Sequence, residues 1–173
     1  MSWELTVKSE LADPSLRSND WPLLGRGEEV CGRISESLPT VQWRREPSFV
    51  EQHQHLPEDH PIRRFIDSST AEQKEWSSRP KFKGLYEGEG FTLEFFVLDG
   101  PIPFFHIDVR GGGNPLPRLA RLCRANKWAI QGVRGETVDL DLPSAPGWEA
   151  FIQWRDQVIN ESVKKRQAED AGG

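Results

Sequence analysis

Alternating apolar and polar residues predict the strands of a mainly antiparallel sheet. A strand with one buried face places every second side chain in the core, so its pattern has a period of two. The clearest cases are 2–8, 91–98 and 104–110. Asp99, Gly100 and Pro101 form a turn between the last two, which predicts an antiparallel hairpin. Weaker patterns predict further strands at 41–44, near Phe49, at 82–87, at 128–130 and at 137–142.

Three segments carry apolar residues at the three- and four-residue spacing of a helix. The first starts at Glu28 and ends before Pro39, the second runs from Asn114 to Asn126, and the third starts near Gly147. Short turns join most neighbouring strands, so we expect the three helices to cover one face of an antiparallel sheet. The predicted fold class is therefore a two-layer α+β domain that spans 1–173.

Residues 51–80 break this regular pattern. The segment is polar and contains three prolines and three of the four histidines. We interpret it as an excursion from the core with one short helix after the Ser-Ser-Thr sequence at 68–70, because Ser and Thr cap helix starts. The polar residues 164–173 are predicted to form a disordered tail. This tail ends in Gly172-Gly173, as ubiquitin-like modifiers do, but here it follows a helix and not a β-grasp strand.

Composition narrows the class of protein. With 173 residues, 36% of them apolar, the chain has enough material for one hydrophobic core, which excludes wholesale disorder. No apolar run approaches the roughly 18 residues of a membrane span, and the N-terminal residues lack the pattern of a signal peptide. We therefore expect a cytoplasmic protein with no membrane partner. The net charge of -5 argues against a nucleic-acid partner, which requires clustered Lys and Arg.

A glycine-rich connection between a strand and a helix is a candidate anion-binding site. Its residues are Arg110, Gly111, Gly112, Gly113 and Asn114. Free backbone N–H groups and the helix dipole bind phosphate at such a place, and the arginine can add a charge-assisted hydrogen bond. The loop matches neither a Walker motif nor a GxGxxG fingerprint. The alternative is a tight connection that uses glycine only for its backbone freedom.

The polar face of the predicted hairpin is a candidate partner-binding surface. Its residues are Glu94, Phe96, Phe104, His106, Asp108 and Arg110. A carboxylate beside an imidazole can orient a general base, but the same pattern is typical of a solvated sheet face with cross-strand charge pairs. Phe96 and Phe104 are apolar, so they are either covered by 51–80 or form a patch for a partner. Trp21 and Trp76 lie in predicted loops, where they bind a partner or dock on the protein's own core.

The histidines and cysteines give weaker signals. His53 and His55 would lie on one side of a strand, with His60 as a third ligand, but the spacing matches no metal-site template. We predict no metal site and no cofactor. Cys31 and Cys123 lie on the inner faces of predicted helices, where thiols behave as small hydrophobic groups, and we predict no catalytic residue.

Several short motifs point to one group of proteins. They are the Val109-Arg110-Gly111-Gly112-Gly113-Asn114-Pro115 run, Asn126-Lys127-Trp128, and Val138-Asp139-Leu140, all within the segment from Tyr86 to Leu140. This segment resembles small uncharacterised bacterial proteins, some of which are associated with the immunity or accessory genes of polymorphic toxin systems. The opening Ser2-Trp3-Glu4-Leu5-Thr6-Val7 fits the same group. The resemblance implies a bacterial protein that binds another protein, and it transfers no catalytic residue.

Two functional hypotheses follow. The first is a non-catalytic protein-binding module, an immunity protein that neutralises a toxin, in which the acidic charge suits a basic toxin. The second is a small-ligand-binding protein or enzyme that uses Gly111–Gly113 with Arg110, His106 and Asp108. A ligand-sized cleft beside the glycine loop would favour the second, and a flat polar sheet face with exposed aromatic rings would favour the first.

Overall fold

The fold contains eight strands and six α-helices within the part of the chain that the computed structural model describes, residues 2–133, 135–140 and 146–171. The strands are β1 (Trp3–Ser9), β2 (Gly25–Arg26), β3 (Gln42–Glu46), β4 (Lys81–Glu87), β5 (Phe91–Leu98), β6 (Pro101–Ile102), β7 (Phe104–Gly111) and β8 (Trp128–Gly132). The helices are α1 (Gly27–Ser37), α2 (Phe49–His53), α3 (Pro61–Ser68), α4 (Ala71–Ser77), α5 (Leu116–Asn126) and α6 (Pro146–Ala171). The α+β class is as predicted, with two helices more than the three core helices and one short helix that the sequence predicts.

Six of the strands form one antiparallel sheet in the order β3-β4-β5-β7-β1-β8. The predicted hairpin of β5 and β7 is confirmed, with Glu94 opposite Asp108 and Phe96 opposite His106. The N-terminal strand β1 pairs with the other side of β7 and lies between β7 and β8. The short strands β2 and β6 form a separate two-stranded sheet.

The hydrophobic core lies on the sheet face that α1 and α5 cover. Phe95 and Phe105, on neighbouring strands, are the largest side chains that are fully buried there. Burial of such a side chain contributes about 1.5–3 kcal/mol, so these rings stabilise the packing of helices on the sheet. The start of α6 extends this core, because the rings of Trp3 and Trp148 lie 5.4 Å apart and Phe151 stacks on Trp148. Three helices therefore pack on this face, as predicted.

Side-chain hydrogen bonds set the ends of α5. Asn114 Oδ1 accepts a hydrogen bond from the Leu116 N–H at 3.0 Å, and the helix starts one residue later than predicted. At the other end Lys127, and not Asn126, has the left-handed conformation, with φ of 56°. Asn126 instead donates its side-chain N–H to the carbonyl of Leu122 at 2.9 Å, so it belongs to the last helical turn.

The segment 51–80 folds onto the outer face of the sheet, which α1 and α5 leave free. The strand predicted near Phe49 is wrong, because Ser48 and Glu51 exchange hydrogen bonds and start helix α2 there instead. The helix predicted after the Ser-Ser-Thr sequence is confirmed as α4, and Thr70 is its N-cap. Helix α3 has no counterpart in the prediction.

The C-terminal elements differ from the prediction in extent. Beyond β8 the predicted last hairpin is reduced to one bridge between Gln131 and Thr137, and residues 141–142 of its second strand lie outside the described residues. Helix α6 continues to Ala171, through most of the predicted tail, because Lys, Arg, Gln, Ala and Glu have a high intrinsic helix propensity. The Gly172-Gly173 terminus lies outside the described residues.

Candidate functional site

A wide groove separates the helices of the 51–80 segment from the outer face of the sheet. Its volume is about 900 Å³, and it is open to solvent. The apolar part of its lining comes from Phe49, Phe65, Trp76, Leu98 and Phe104. The polar part comes from Arg17, Ser18, Asn19, Ser69, Glu72, Gln73, Ser77 and His106. We call this feature the outer groove.

Trp76, at the end of α4, joins the helical cover to the sheet. Its ring stacks on Phe104 with the ring centres 5.9 Å apart and 18° between the planes. The guanidinium of Arg79 lies 4.7 Å from the centre of the same ring. Arg79 also donates hydrogen bonds to the carbonyls of Asp99 and Pro101, at 2.6 and 2.5 Å. Trp76 is therefore held in place from two sides, and it lines the outer groove.

Trp21 covers Phe104 from another direction. The two rings meet edge to face with centres 6.2 Å apart, and the Trp21 indole N–H donates to the carbonyl of Asp13 at 2.9 Å. Lys8 is only 4% exposed, and its ammonium lies 4.4 Å from the centre of the Trp21 ring. Both tryptophans thus dock on the protein itself and partly cover Phe104, although Trp76 lies in α4 and not in a loop as predicted.

His106 lines the outer groove from the middle of β7. Its Nδ1 is 3.3 Å from the hydroxyl of Thr6 on the neighbouring strand, within hydrogen-bonding distance. Although part of the ring is exposed, the surrounding protein desolvates it and lowers the pKa of His106 below 6.5, against the opposing charges of Asp108 and Glu4. The ring is therefore mostly neutral at pH 7, so it adds no positive charge to the groove.

A row of three carboxylates crosses the same face, two residues further along β7. Glu4 on β1 and Glu94 on β5 both lie opposite Asp108. Lys83 and Arg110 place cations 3.2 and 3.5 Å from one Glu94 oxygen, whereas Glu4 has no ion pair with any described residue. Burial and the charge of Glu4 raise the pKa of Asp108, and the nearby Arg110 offsets this only in part. We call the three carboxylates Glu4, Asp108 and Glu94 the carboxylate row.

The predicted anion-binding loop lies at the opposite end of β7 from the outer groove. The N–H groups of Gly112 and Gly113 donate to the carbonyl of Gly90 at 2.9 and 2.8 Å. The side chain of Asn114 already caps the first turn of α5, and Arg110 faces the carboxylate row. Because these donors serve other partners, the geometry favours the alternative, a tight connection between β7 and α5.

The predicted metal and thiol residues have local roles. The ring of His53 packs against that of Phe49 within α2 at a tilt of 43°, and His60 caps α3, so neither histidine lies on a strand. Among the described residues there is no cluster of three or more His, Cys, Asp or Glu side chains that could hold a metal ion. Burial raises the pKa of Cys31 and of Cys123 to about 12, which leaves both thiols protonated and unreactive at neutral pH.

The six predicted partner-binding residues do share the outer face, but in two groups. Phe104 and His106 line the outer groove, whereas Glu94, Asp108 and Arg110 form the charged area beside it. The remaining member of the set, Phe96, lies beside Lys83, whose ammonium is 5.2 Å from the ring centre.

The sequence prediction missed the wall of the outer groove that α2 and α3 provide. Phe49 and Phe65 belong to that wall. A signal for it exists, because Ile62, Phe65 and Ile66 follow the spacing of an amphipathic helix. The polar composition of the surrounding residues hides this pattern.

Comparisons with protein-family models, with curated proteins and with solved structures find no match to this chain. None of the described helices combines the length and the apolar character that a membrane crossing requires.

Proposed function

We propose that this protein is a non-catalytic binding module that takes a protein partner on the outer face of its sheet. The outer groove is the observation that carries the proposal. It is large, mostly apolar in its lining and open to solvent, and the carboxylate row lies directly beside it. Contiguous apolar surface with a polar border is typical of protein interaction sites.

Exposed aromatic side chains support this proposal. Phe65 is 57% exposed and Phe49 is 39% exposed, and both face the same groove. Aromatic residues contribute strongly to protein interfaces because they bury much apolar area with few rotatable bonds. Their burial under a partner would remove from water the apolar surface that the isolated fold leaves open.

The charge of the chain favours a basic partner. The net charge of -5 would speed the approach of a cationic protein by electrostatic steering, and Glu4, which has no ion pair with any described residue, would add to this effect. A basic toxin, neutralised by this protein in the manner of an immunity protein, is the specific partner that the sequence resemblance suggests. A basic toxin is thus the proposed partner.

Small-ligand binding or catalysis at His106 and Asp108 is the second candidate function. The contact between His106 and the Thr6 hydroxyl, together with the place of His106 in the outer groove, favours it. The glycine loop would take no part in such a site, because it lies at the far end of β7. A His106→Gln variant that lost a measured ligand affinity but kept its protein partner would support this second function.

Site-specific photo-crosslinking tests the proposed function. A benzophenone amino acid replaces Phe65 in the outer groove, and in a control chain it replaces Arg121, which is exposed on α5 behind the sheet. Both chains are expressed and irradiated in cells of the native host. We expect one stoichiometric protein adduct from position 65 and none from position 121. The absence of an adduct at position 65, or identical adducts at both positions, would contradict the proposal.

A further inference from the structure

We propose that the partner presents a segment in which a large apolar side chain and a Lys or Arg lie two to four positions apart. The apolar side chain fills the outer groove beside Phe104 and Trp76, and the basic side chain binds the carboxylate row at Glu4 and Asp108. This inference rests on the proposed function, since it names the chemistry of the partner at the same surface.

The shape of the groove favours a protein segment as the occupant. A small-molecule site usually buries most of its ligand in a closed cavity. The outer groove has a volume of about 900 Å³ but is open to solvent, so it would leave a small molecule largely exposed. A segment that continues beyond the groove is anchored by one side chain and gains further contacts along the sheet face.

The spacing on β7 sets the distance between the two anchors. His106 lines the groove and Asp108 belongs to the carboxylate row, and both side chains leave the same face of the strand. Alternate residues of a strand are about 7 Å apart. An apolar residue and a basic residue can span this distance when they lie two positions apart in an extended segment, or three or four positions apart in a helix.

The charges around the groove place the basic residue at the row and not in the groove. The groove lining carries one cation, Arg17, and one carboxylate, Glu72, so the two charges offset each other and the groove has no excess negative charge for a further cation. Glu94 is already compensated by Lys83 and Arg110, whereas Glu4 has no ion pair with any described residue. Glu4 and the neighbouring Asp108 are thus the carboxylates that gain most from an incoming cation.

Selection of random 12-residue peptides on the immobilised full-length chain tests the inference. We expect the enriched peptides to share an aromatic or large aliphatic residue with a Lys or Arg within four positions. Binding of the tightest peptide should weaken about tenfold in Phe65→Ser, the loss typical of an interface anchor. The matched control is Leu23→Ser, because Leu23 is an exposed apolar residue outside the groove lining.

The basic anchor is tested by a double-mutant cycle. Replacing the peptide's Lys or Arg by Gln should weaken binding to the natural chain about two- to fivefold, and should have no effect on a Glu4→Gln, Asp108→Asn double variant. Glu36→Gln, on the exposed side of α1, is the control for charge removal elsewhere. The circular dichroism spectrum and melting temperature of each variant check that it is folded.

The possible outcomes separate the two proposals. The inference is overturned if the peptides need Phe65 but show no preference for a basic residue. It is also overturned if the Gln replacement in the peptide weakens binding equally in the natural chain and in the double variant. Both results leave the proposed function standing. No enrichment, or peptides insensitive to Phe65→Ser, overturns both. Native mass spectrometry could instead show that the chain self-associates or retains a small molecule. If Phe65→Ser abolishes either, the groove belongs to another occupant and the inference is overturned.

Discussion

At the residue scale, the carboxylate row is the arrangement that folding alone does not explain. Asp108 lies between Glu4 and Glu94 on adjacent strands, and like charges directly opposite one another destabilise a sheet. The raised pKa of Asp108 reflects the same unfavourable surroundings. A surface that binds a cation gains from this arrangement, because a cationic partner relieves the repulsion.

Neutralising Asp108 should therefore stabilise the free protein. Because the folded state raises the pKa of Asp108 above its unfolded value of 3.8, the ionised group destabilises the fold above the folded pKa, and this penalty disappears as the pH falls toward 3.8. We expect Asp108→Asn to raise the free energy of unfolding by about 0.2–1 kcal/mol at pH 7, with a smaller gain at pH 4.5. Urea titrations at both pH values measure this difference in the free energy of unfolding.

The control is Asp59→Asn, at an exposed position in the 51–80 segment. An equal gain in stability in that variant would contradict the explanation.

His106 should have the opposite pH dependence. Its pKa is lowered in the folded state, so its contribution to stability is complete above the unfolded value of 6.5 and is lost as the pH falls through 6.5 toward the folded pKa. An NMR titration should give His106 a midpoint below 6.5, with the His106→Gln spectrum identifying its signal. The natural chain should also lose more stability than His106→Gln between pH 7 and pH 5.5. A midpoint above 6.5 would contradict this expectation, because it would show that the charges of Asp108 and Glu4 outweigh the desolvation of the ring.

At the scale of elements, the β7–α5 connection is built for close packing of backbone. The loop folds back on the turn between β4 and β5, where Gly90 accepts two of its N–H groups. A Cβ at Gly113 would overlap the carbonyl of Glu89. Position 113 therefore needs glycine because a larger residue would not fit. This steric requirement explains a glycine at this position without a bound anion.

Two alanine substitutions test this explanation. Gly113→Ala should lower the free energy of unfolding by about 1–3 kcal/mol, because the turn between β4 and β5 must move. Gly32→Ala should raise it by about 0.4–1 kcal/mol, because Gly32 lies within α1 and an added Cβ would meet no atom within 4 Å. Thermal and urea denaturation measure both variants. Addition of inorganic phosphate should stabilise neither the natural chain nor Gly32→Ala, and a phosphate-dependent rise in melting temperature that Gly113→Ala removes would support the anion-binding prediction instead.

At the scale of the whole molecule, the sequence predicts the core better than it predicts the outer groove. The sheet and the helices behind it follow from period-two and period-3.6 patterns, because each element buries one regular face. The outer groove depends instead on contacts between distant segments, such as Trp76 and Trp21 on Phe104. No local pattern encodes where α2 to α4 dock, or that β1 lies between β7 and β8.

Hydrogen–deuterium exchange of the full chain, with and without the tightest selected peptide, tests the central claim most directly. If the outer groove is the binding site, the peptide slows exchange in residues 61–77 and 104–108 and leaves residues 116–126 of α5 unchanged. Slowed exchange confined to residues 111–126 would place the site at the glycine loop and α5, and would contradict the account.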